Sequence, residues 1–593
     1  MTATNDWRRR FTAPRMRFPR WSAARPDLLA FVSTASGSWQ AWTADLSTGE
    51  RRQRSFDPIG VEAVLIAPQG DALVWWHDAT GDERGHWVRA PLDGGDPERL
   101  FPDVPDGWDM GIAMVAGATA VAIASDDDYA IYAAHGDGDP VSLYRHEQPA
   151  GVGREWPEGE GGLSSDGTLL CIRHCERGDI LHPALRVLDA RTGEAVAGLE
   201  HRGRLLDPVA WSPRPGDQRL LVHHELGEYE RPGIWDVSAG ELRRLPVDLP
   251  GAAFPLGWWP DANAILLRHE HHGREQLFRF DVDDASVEPC GPERGEILDA
   301  AVRAEGDVWL LAGDSATPNR LLGDGDREIL SSSPDRPPSG RPFRSYWFEN
   351  PAGDQIQAFV VEPPGDGPHP IVMYAHGGPE WHVRDGFDAE FQAFVDHGYA
   401  LGIVNYRGST GYGIAFREKL IRNVGFPESE DIIACLDSLV ADGVADPGRV
   451  YFAGWSWGGY LACLNVGLNP DRWRAVFAGI PTGDYVEAHD RSSPPLQAWD
   501  VAMFGGHPAD VPDRYRERDP MTFVSRGRAP TLIIAGRNDS RCPLSSATKW
   551  ADAYAAAGGQ VEVDVYDAGH HANDTAQQLR HMERVLAFFA DHA

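Results

Sequence analysis

The chain is poor in cysteine, poor in positive charge and free of long apolar runs, and each shortage excludes a class of protein. Six cysteines in 593 residues, irregularly spaced, do not make a disulfide framework and fit a reducing compartment better. Cys171 and Cys175 flank His174, yet no second ligand pair at zinc spacing accompanies them, so ordinary thiols and no metal are expected. Lys plus Arg number 55 against 89 for Asp plus Glu, and the net charge of -34 opposes contact with nucleic acid or an anionic membrane. Uninterrupted apolar runs of about 18 residues are lacking, so no membrane-spanning helix is expected. Arg8-Arg9-Arg10 is followed by Pro14, Arg15 and Arg17 instead of an apolar segment, which argues against an export signal and for a cytoplasmic protein.

What is present falls into two rhythms, and the length alone calls for more than one domain. From about residue 21 to 330 one phrase recurs: a Pro, Asp or Gly turn, a short apolar strand, a polar gap, then a second strand ending in an Asp/Gly turn. Copies begin at Trp21, Ile66, Val115, Leu163, Trp211, Trp258 and Arg303, seven in all. A repeat of roughly 40 to 50 residues built from short strands and tight turns predicts a β-propeller, here seven-bladed with four strands per blade. SSSPDRPPSGRP, between about 331 and 342, breaks the rhythm as a linker would. Beyond it, strands such as PIVMYA, RVYFAG and TLIIAG alternate with helical stretches, which predicts a mainly parallel sheet with helices on both faces. The expected organisation is an N-terminal extension over 1–20, the propeller over 21–335 and an α/β-hydrolase domain over 336–593.

In such sheets reactive groups gather at the carboxyl ends of strands. Gly454-Trp455-Ser456-Trp457-Gly458 fits G-x-S-x-G, a sharp strand-to-helix turn that exposes its serine. A hydroxyl needs a base, and the base needs an orienting carboxylate. Asp539 follows the strand TLIIAG and His570 follows VEVDVYDAG, which gives the order Ser, Asp, His expected of this fold. His570, directly after the Gly569 turn, is preferred to His571, and Asp564 and Asp567 read as solvated turn residues. The strand PIVMYA ends in His376-Gly377-Gly378-Pro379, a loop type that supplies one backbone N–H to an oxyanion; the amide of Trp457 is the expected partner.

NYRGSTGYG, EDIIACLDSL, GWSWGGY, AGIPTGDY, FGGHP and GRNDSRCP together resemble the hydrolase domain of the prolyl oligopeptidase family of serine peptidases, and the resemblance covers nearly the whole chain. HGGP resembles the acylaminoacyl peptidase branch, whereas GWSWGGY is closer to dipeptidyl peptidases. The resemblance implies Gly378 as the oxyanion donor beside Trp457. It sets His376 where other branches carry a tyrosine hydroxyl, and Arg541 where relatives bind a substrate carbonyl. Glu225, Glu228 and Glu230, in HHELGEYERP, are candidates for holding a substrate amine, against the alternative of an acidic loop between strands. Trp457, Tyr460 and Tyr485 are candidates for an apolar pocket wall, core packing being the alternative. The expected activity is that of a serine exopeptidase acting near the N-terminus of short peptides through an acyl-enzyme, without a cofactor. An esterase or amidase for a small non-peptide acyl compound is the near alternative, and an inactive propeller-based interaction protein the distant one. Whether the substrate's N-terminus is free or acylated, and whether the protein self-associates, stay open.

Overall fold

The computed structural model describes residues 6–154, 161–333 and 335–593. Position 334 of the expected linker and positions 1–5 of the expected extension lie outside the described residues.

The recurring phrase is a hairpin with its own turn chemistry. In DLSTGE, Asp45 accepts hydrogen bonds from the amides of Ser47 and Thr48 at 2.9 and 3.0 Å, and Gly49 follows at φ 77°. DARTGE repeats the device: Asp189 accepts from the amides of Arg191 and Thr192 at 2.9 and 2.8 Å, with Gly193 at φ 75°. The carboxylate stands in for a backbone acceptor and glycine enters the left-handed region without a Cβ clash, so the chain reverses at the same point of each copy.

Among the described residues between Met16–Ser22 and Arg327–Leu330 these hairpins form five four-stranded antiparallel sheets and one of eight strands, two meanders joined where Arg84–Pro91 pairs with Gly107–Val115. Neighbouring sheets share apolar clusters: Ala30 and Val32 pack with Leu73 and Trp75, and Ile131 packs with Leu170 and Ile172. Trp309, Leu311 and Leu321 of the last sheet pack in turn on Met16, Leu29 and Phe31 of the first. That junction is apolar contact and not an exchanged strand. The first strand begins inside the expected 1–20 extension, and the helix Asp6–Thr12 before it places Trp7 and Phe11 in the core of the C-terminal domain.

That domain is built on one eight-stranded sheet. Arg344–Glu349 and Gln355–Val361 pair antiparallel at one edge; the remaining six strands run parallel. Fully buried runs such as Ala400–Asn405 and Thr531–Gly536 follow from helices covering both faces. His369–Ala375 lies between Ala400–Asn405 on one side and Ala445–Trp455 on the other, so the strand order reverses there. A crevice opens at such a reversal beyond the carboxyl ends of the strands. The HGGP loop and the G-x-S-x-G turn are the two segments that leave the strands at that point.

The two regions meet through polar contacts. Trp39 N–H donates to Asn573 O at 3.1 Å and Thr575 N–H to Gly37 O at 2.7 Å. Arg274 pairs with Asp385 at 2.8 Å, and Glu270 with His382 at 2.9 Å. Among the described residues no helix is long and apolar enough to cross a membrane.

Candidate active site

Ser456 links the strand Ala445–Trp455 to the helix Trp457–Leu468 at φ 57° and ψ -116°. A non-glycine residue in such a conformation costs about 1–3 kcal/mol and persists only where its surroundings hold it. Here the Ser456 N–H donates to Gly479 O and its carbonyl accepts from the Tyr460 N–H, both at 2.9 Å. The flanking glycines permit the approach: a Cβ at Gly458 would stand 2.0 Å from Ala375 O, and one at Gly459 2.2 Å from Gly479 O.

His570 Nε2 lies 3.1 Å from Ser456 Oγ, and its Nδ1 lies 2.8 Å from Asp539 Oδ2. The other Asp539 oxygen accepts from the amides of Arg541 and Cys542, each at 2.8 Å. Burial alone would raise the Asp539 pKa, but the His570 ring and those two amides outweigh it and hold the carboxyl below its ordinary value. An ionised carboxylate on Nδ1–H fixes the tautomer that leaves Nε2 free to accept a proton from the serine. His571 packs edge-on against His570 at 4.9 Å, and burial, with that neighbour, pulls its pKa down to about 3. Asp564 and Asp567 face outward, paired with Arg584 at 3.0 Å and Arg537 at 2.6 Å.

Gly377 borders the serine, where an added Cβ would be 3.7 Å from Ser456 Cβ, and Gly378 follows at φ 122°. Trp457 opens its helix, where an amide has no acceptor within the helix. The His376 side chain is held by its own loop and by Tyr406 and Ser409. It is 1% exposed, its Nδ1 lies 2.6 Å from Gly377 O and its Nε2 2.9 Å from Ser409 Oγ, and its ring stacks on Tyr406 at 4.1 Å. Burial pulls its pKa to about 3, so it stays neutral and stiffens the loop.

Two cavities border His570. One of about 390 Å³ faces the N-terminal sheets and is lined by Glu62, Glu83, Trp108, Asp109 and Arg541. The other, about 610 Å³, is lined by Tyr374, Gly377, Trp381, Trp455 and Ser456. Arg541 lines the first of these cavities, with its Nε 2.7 Å from Glu83 of the N-terminal region. Tyr460 does not line either cavity: it is fully buried and donates its hydroxyl to Arg518 O at 2.8 Å, while the Trp457 and Tyr485 rings pack against it in the core. Glu225, Glu228 and Glu230 also lie off both linings. Glu225 forms a buried ion pair with Arg417, Glu228 offers its carbonyl to the Ile414 N–H at 2.9 Å, and burial raises the Glu230 pKa to about 7.

The cavity carboxylates Glu62, Glu83 and Asp109 and the half-exposed Trp381 were not read from the sequence. Glu83 does carry one structural mark, a φ of 64° in a non-glycine turn residue. Among the described residues one group has metal-ligand spacing: Asp539, Cys542 and His570 each place a ligand atom within 4.8 Å of the others. With Asp539 already bound to the imidazole and two amides, that group reads as an orienting set with a thiol beside it.

Residues 385–593 match the prolyl oligopeptidase family. An acylamino-acid-releasing enzyme of Arabidopsis thaliana is 29% identical over 214 residues, 35% of this chain and 28% of that protein. The chain thus spans about a third of the length of the curated relatives it matches first. A puromycin-hydrolysing peptidase of Mycobacterium tuberculosis superposes with a TM-score of 0.80 at 19% identity, over 100% of this chain and 96% of that one. An acylaminoacyl peptidase of Pyrococcus horikoshii superposes at 0.71 and 16% identity, over 98% and 96%. At these identities the superpositions speak for the fold, β-sheet propeller plus α/β-hydrolase, along the whole chain. Over residues 385–593, then, the chain is similar to the prolyl oligopeptidase family.

Proposed function

We propose that the protein is a serine exopeptidase that cleaves short peptides near their N-terminus through an acyl-enzyme. One observation carries this reading: His570 stands within hydrogen-bonding distance of both Ser456 Oγ and Asp539. As Oγ bonds to the substrate carbonyl carbon, Nε2 takes the hydroxyl proton, and Asp539 stabilises the imidazolium through Nδ1–H. The oxyanion forms toward the amides of Gly378 and Trp457. The imidazolium returns its proton to the leaving amine as the C–N bond breaks, and a water, deprotonated by the same nitrogen, then releases the acyl group and restores the serine. No cofactor takes part in this sequence.

We read the N-terminal sheets as a seven-bladed propeller over about 21–335, covering a hydrolase domain over 336–593. The shared apolar clusters between successive sheets support the count, with the last sheet packing on the first. Such a cover favours short substrates over folded proteins. Six cysteines that remain thiols suit the reducing cytoplasm.

The printed names of the fold neighbours cover both puromycin hydrolysis and acylaminoacyl peptidase activity. For this chain a free amino end is favoured, because Glu62, Glu83, Asp78 and Asp109 outnumber Arg173 and Arg541 around the propeller-side cavity. The test is a set of fluorogenic aminoacyl and peptidyl amides with free and acetylated amino ends, with short acyl esters as a third arm. Faster turnover of free amines supports the reading, and turnover of esters alone replaces it with an esterase. Fluorophosphonate labelling that disappears in Ser456→Ala excludes an inactive scaffold.

A further inference from the structure

Both tryptophans around Ser456 end on a glutamate. The Trp455 Nε1–H faces the Glu390 carboxyl, with oxygens at 3.2 and 3.0 Å, and the Trp457 Nε1–H donates to Glu428 Oε1 at 3.2 Å. Each glutamate sits in the first turn of a helix, Ala389–Asp396 for Glu390 and Phe426–Ala441 for Glu428. Those helices cover opposite faces of the sheet. Phe391 and Phe394 of the first pack with Val372 and Tyr374, whereas Ile432 and Leu436 of the second pack with Ile371 and Met373. The residues before and after the serine are therefore tethered in opposite directions, one to each layer.

Neither carboxyl is a natural choice for its place. Burial, with Asp388 beside it, raises the Glu390 pKa to about 8, and burial raises that of Glu428 to about 8 as well. Enclosing a group that resists ionisation costs stability that an apolar residue of the same size would not. What the carboxyl supplies and an apolar residue cannot is an acceptor for an indole N–H. A strained turn gains from such tethers, since a displacement of about 1 Å at a reacting group can cost a hundredfold in rate.

We propose that Glu390 and Glu428 are positioning residues for Ser456, acting through the indole N–H groups of Trp455 and Trp457 to hold the strained turn from both faces of the sheet. The proposal rests on the serine-hydrolase reading above. Residues two apart in a continuous strand would share a face, so it is the sharp turn at Ser456 that sends the two indoles to opposite layers.

The test compares Glu390→Leu, Glu390→Gln, Glu428→Leu, Glu428→Gln, Trp455→Phe and Trp457→Phe in the full chain, reading kcat, KM and the rate of fluorophosphonate inactivation. The leucine and phenylalanine variants are expected to lower kcat and the inactivation rate together, by about tenfold to a hundredfold, with KM within about twofold. Glutamine, which keeps a carbonyl acceptor, recovers most of the rate. The double variant Glu390→Leu with Trp455→Phe loses no more than Glu390→Leu alone, because the indole bond that Trp455→Phe removes is already lost with the carboxyl, which also bonds Tyr374. Folded leucine and phenylalanine variants with native kcat overturn the proposal, as does a change confined to KM. Should Glu428→Leu fail to fold, Trp457→Phe keeps the ring and tests the same bond. Wild-type protein that resists fluorophosphonate sinks the hydrolase reading itself, a result distinct from native kcat in the variants.

Discussion

The two regions of the molecule bury apolar surface in different ways. The N-terminal sheets do it in small clusters shared by neighbours, such as Ala30, Val32, Leu73 and Trp75, and polar turns reverse the chain between strands. The C-terminal sheet is enclosed between two large clusters, and its strand ends bring Ser456, Asp539 and His570 together. A Cβ added at a propeller turn such as Gly49 or Gly240 meets open space; one added at Gly458 or Gly459 beside the serine meets backbone. The first region is a series of similar local solutions, whereas the second is one solution whose parts depend on one another.

That contrast is open to direct attack. Ser456→Ala should lower kcat for peptide amides by about a millionfold, with the unfolding transition unchanged, since only the nucleophile is lost. Gly458→Ala should destabilise by more than about 4 kcal/mol in urea unfolding, because its Cβ would stand 2.0 Å from Ala375 O in a packed core. Next comes pH. Glu390 and Glu428 stay protonated in the fold up to about 8, whereas in the unfolded chain they ionise near 4.5. Between those values the folded state holds more protons, so stability falls as pH rises, by about 1.4 kcal/mol per pH unit for each group. The groups facing them are Asp388 and Tyr374 around Glu390, and Asp431, Tyr406 and Tyr460 around Glu428. The double glutamine variant should flatten that slope in unfolding measured across the range.

A smaller effect tests the propeller's share in recognition. Glu83→Gln leaves Arg541 without its carboxylate partner and is expected to raise KM about tenfold for free-amine substrates, more than for acetylated ones. Equal shifts for both would assign Glu83 to holding Arg541 and not to the amine. Smallest is Gly240→Ala, in a propeller turn at φ 69° with open space around the added Cβ. It should cost about 1–2 kcal/mol, for the backbone conformation alone. A loss there as large as that of Gly458→Ala would abolish the distinction between the regions.

Part of this is legible in the amino-acid sequence. The Asp/Gly turns, the strand-helix alternation after residue 342 and the order Ser456, Asp539, His570 are written in short stretches whose chemistry is local: an Asx carboxylate, a glycine at positive φ, a strand end. His570 was separable from His571 by its place directly after a turn, and it is His570 that faces the serine hydroxyl. The linker and the helix at the start were harder, because Trp7 and Phe11 pack on a domain more than three hundred positions away in the chain.

The sequence by itself determined which residue types stand at the strand ends, since a sharp strand-to-helix turn accepts little but glycine around its serine. It could not decide where the other side chains end up. Tyr460 and Glu225 looked available for substrate, yet one is packed in the core and the other is paired with Arg417. Glu83 and Glu62 had no distinguishing pattern, yet they border the site because two domains bring loops together across hundreds of residues. The tethers from Trp455 and Trp457 to Glu390 and Glu428 belong to the same class: the spacing of the partners along the chain carries no periodicity, and only the stacking of helices on both faces of one sheet brings each acceptor within reach of its indole.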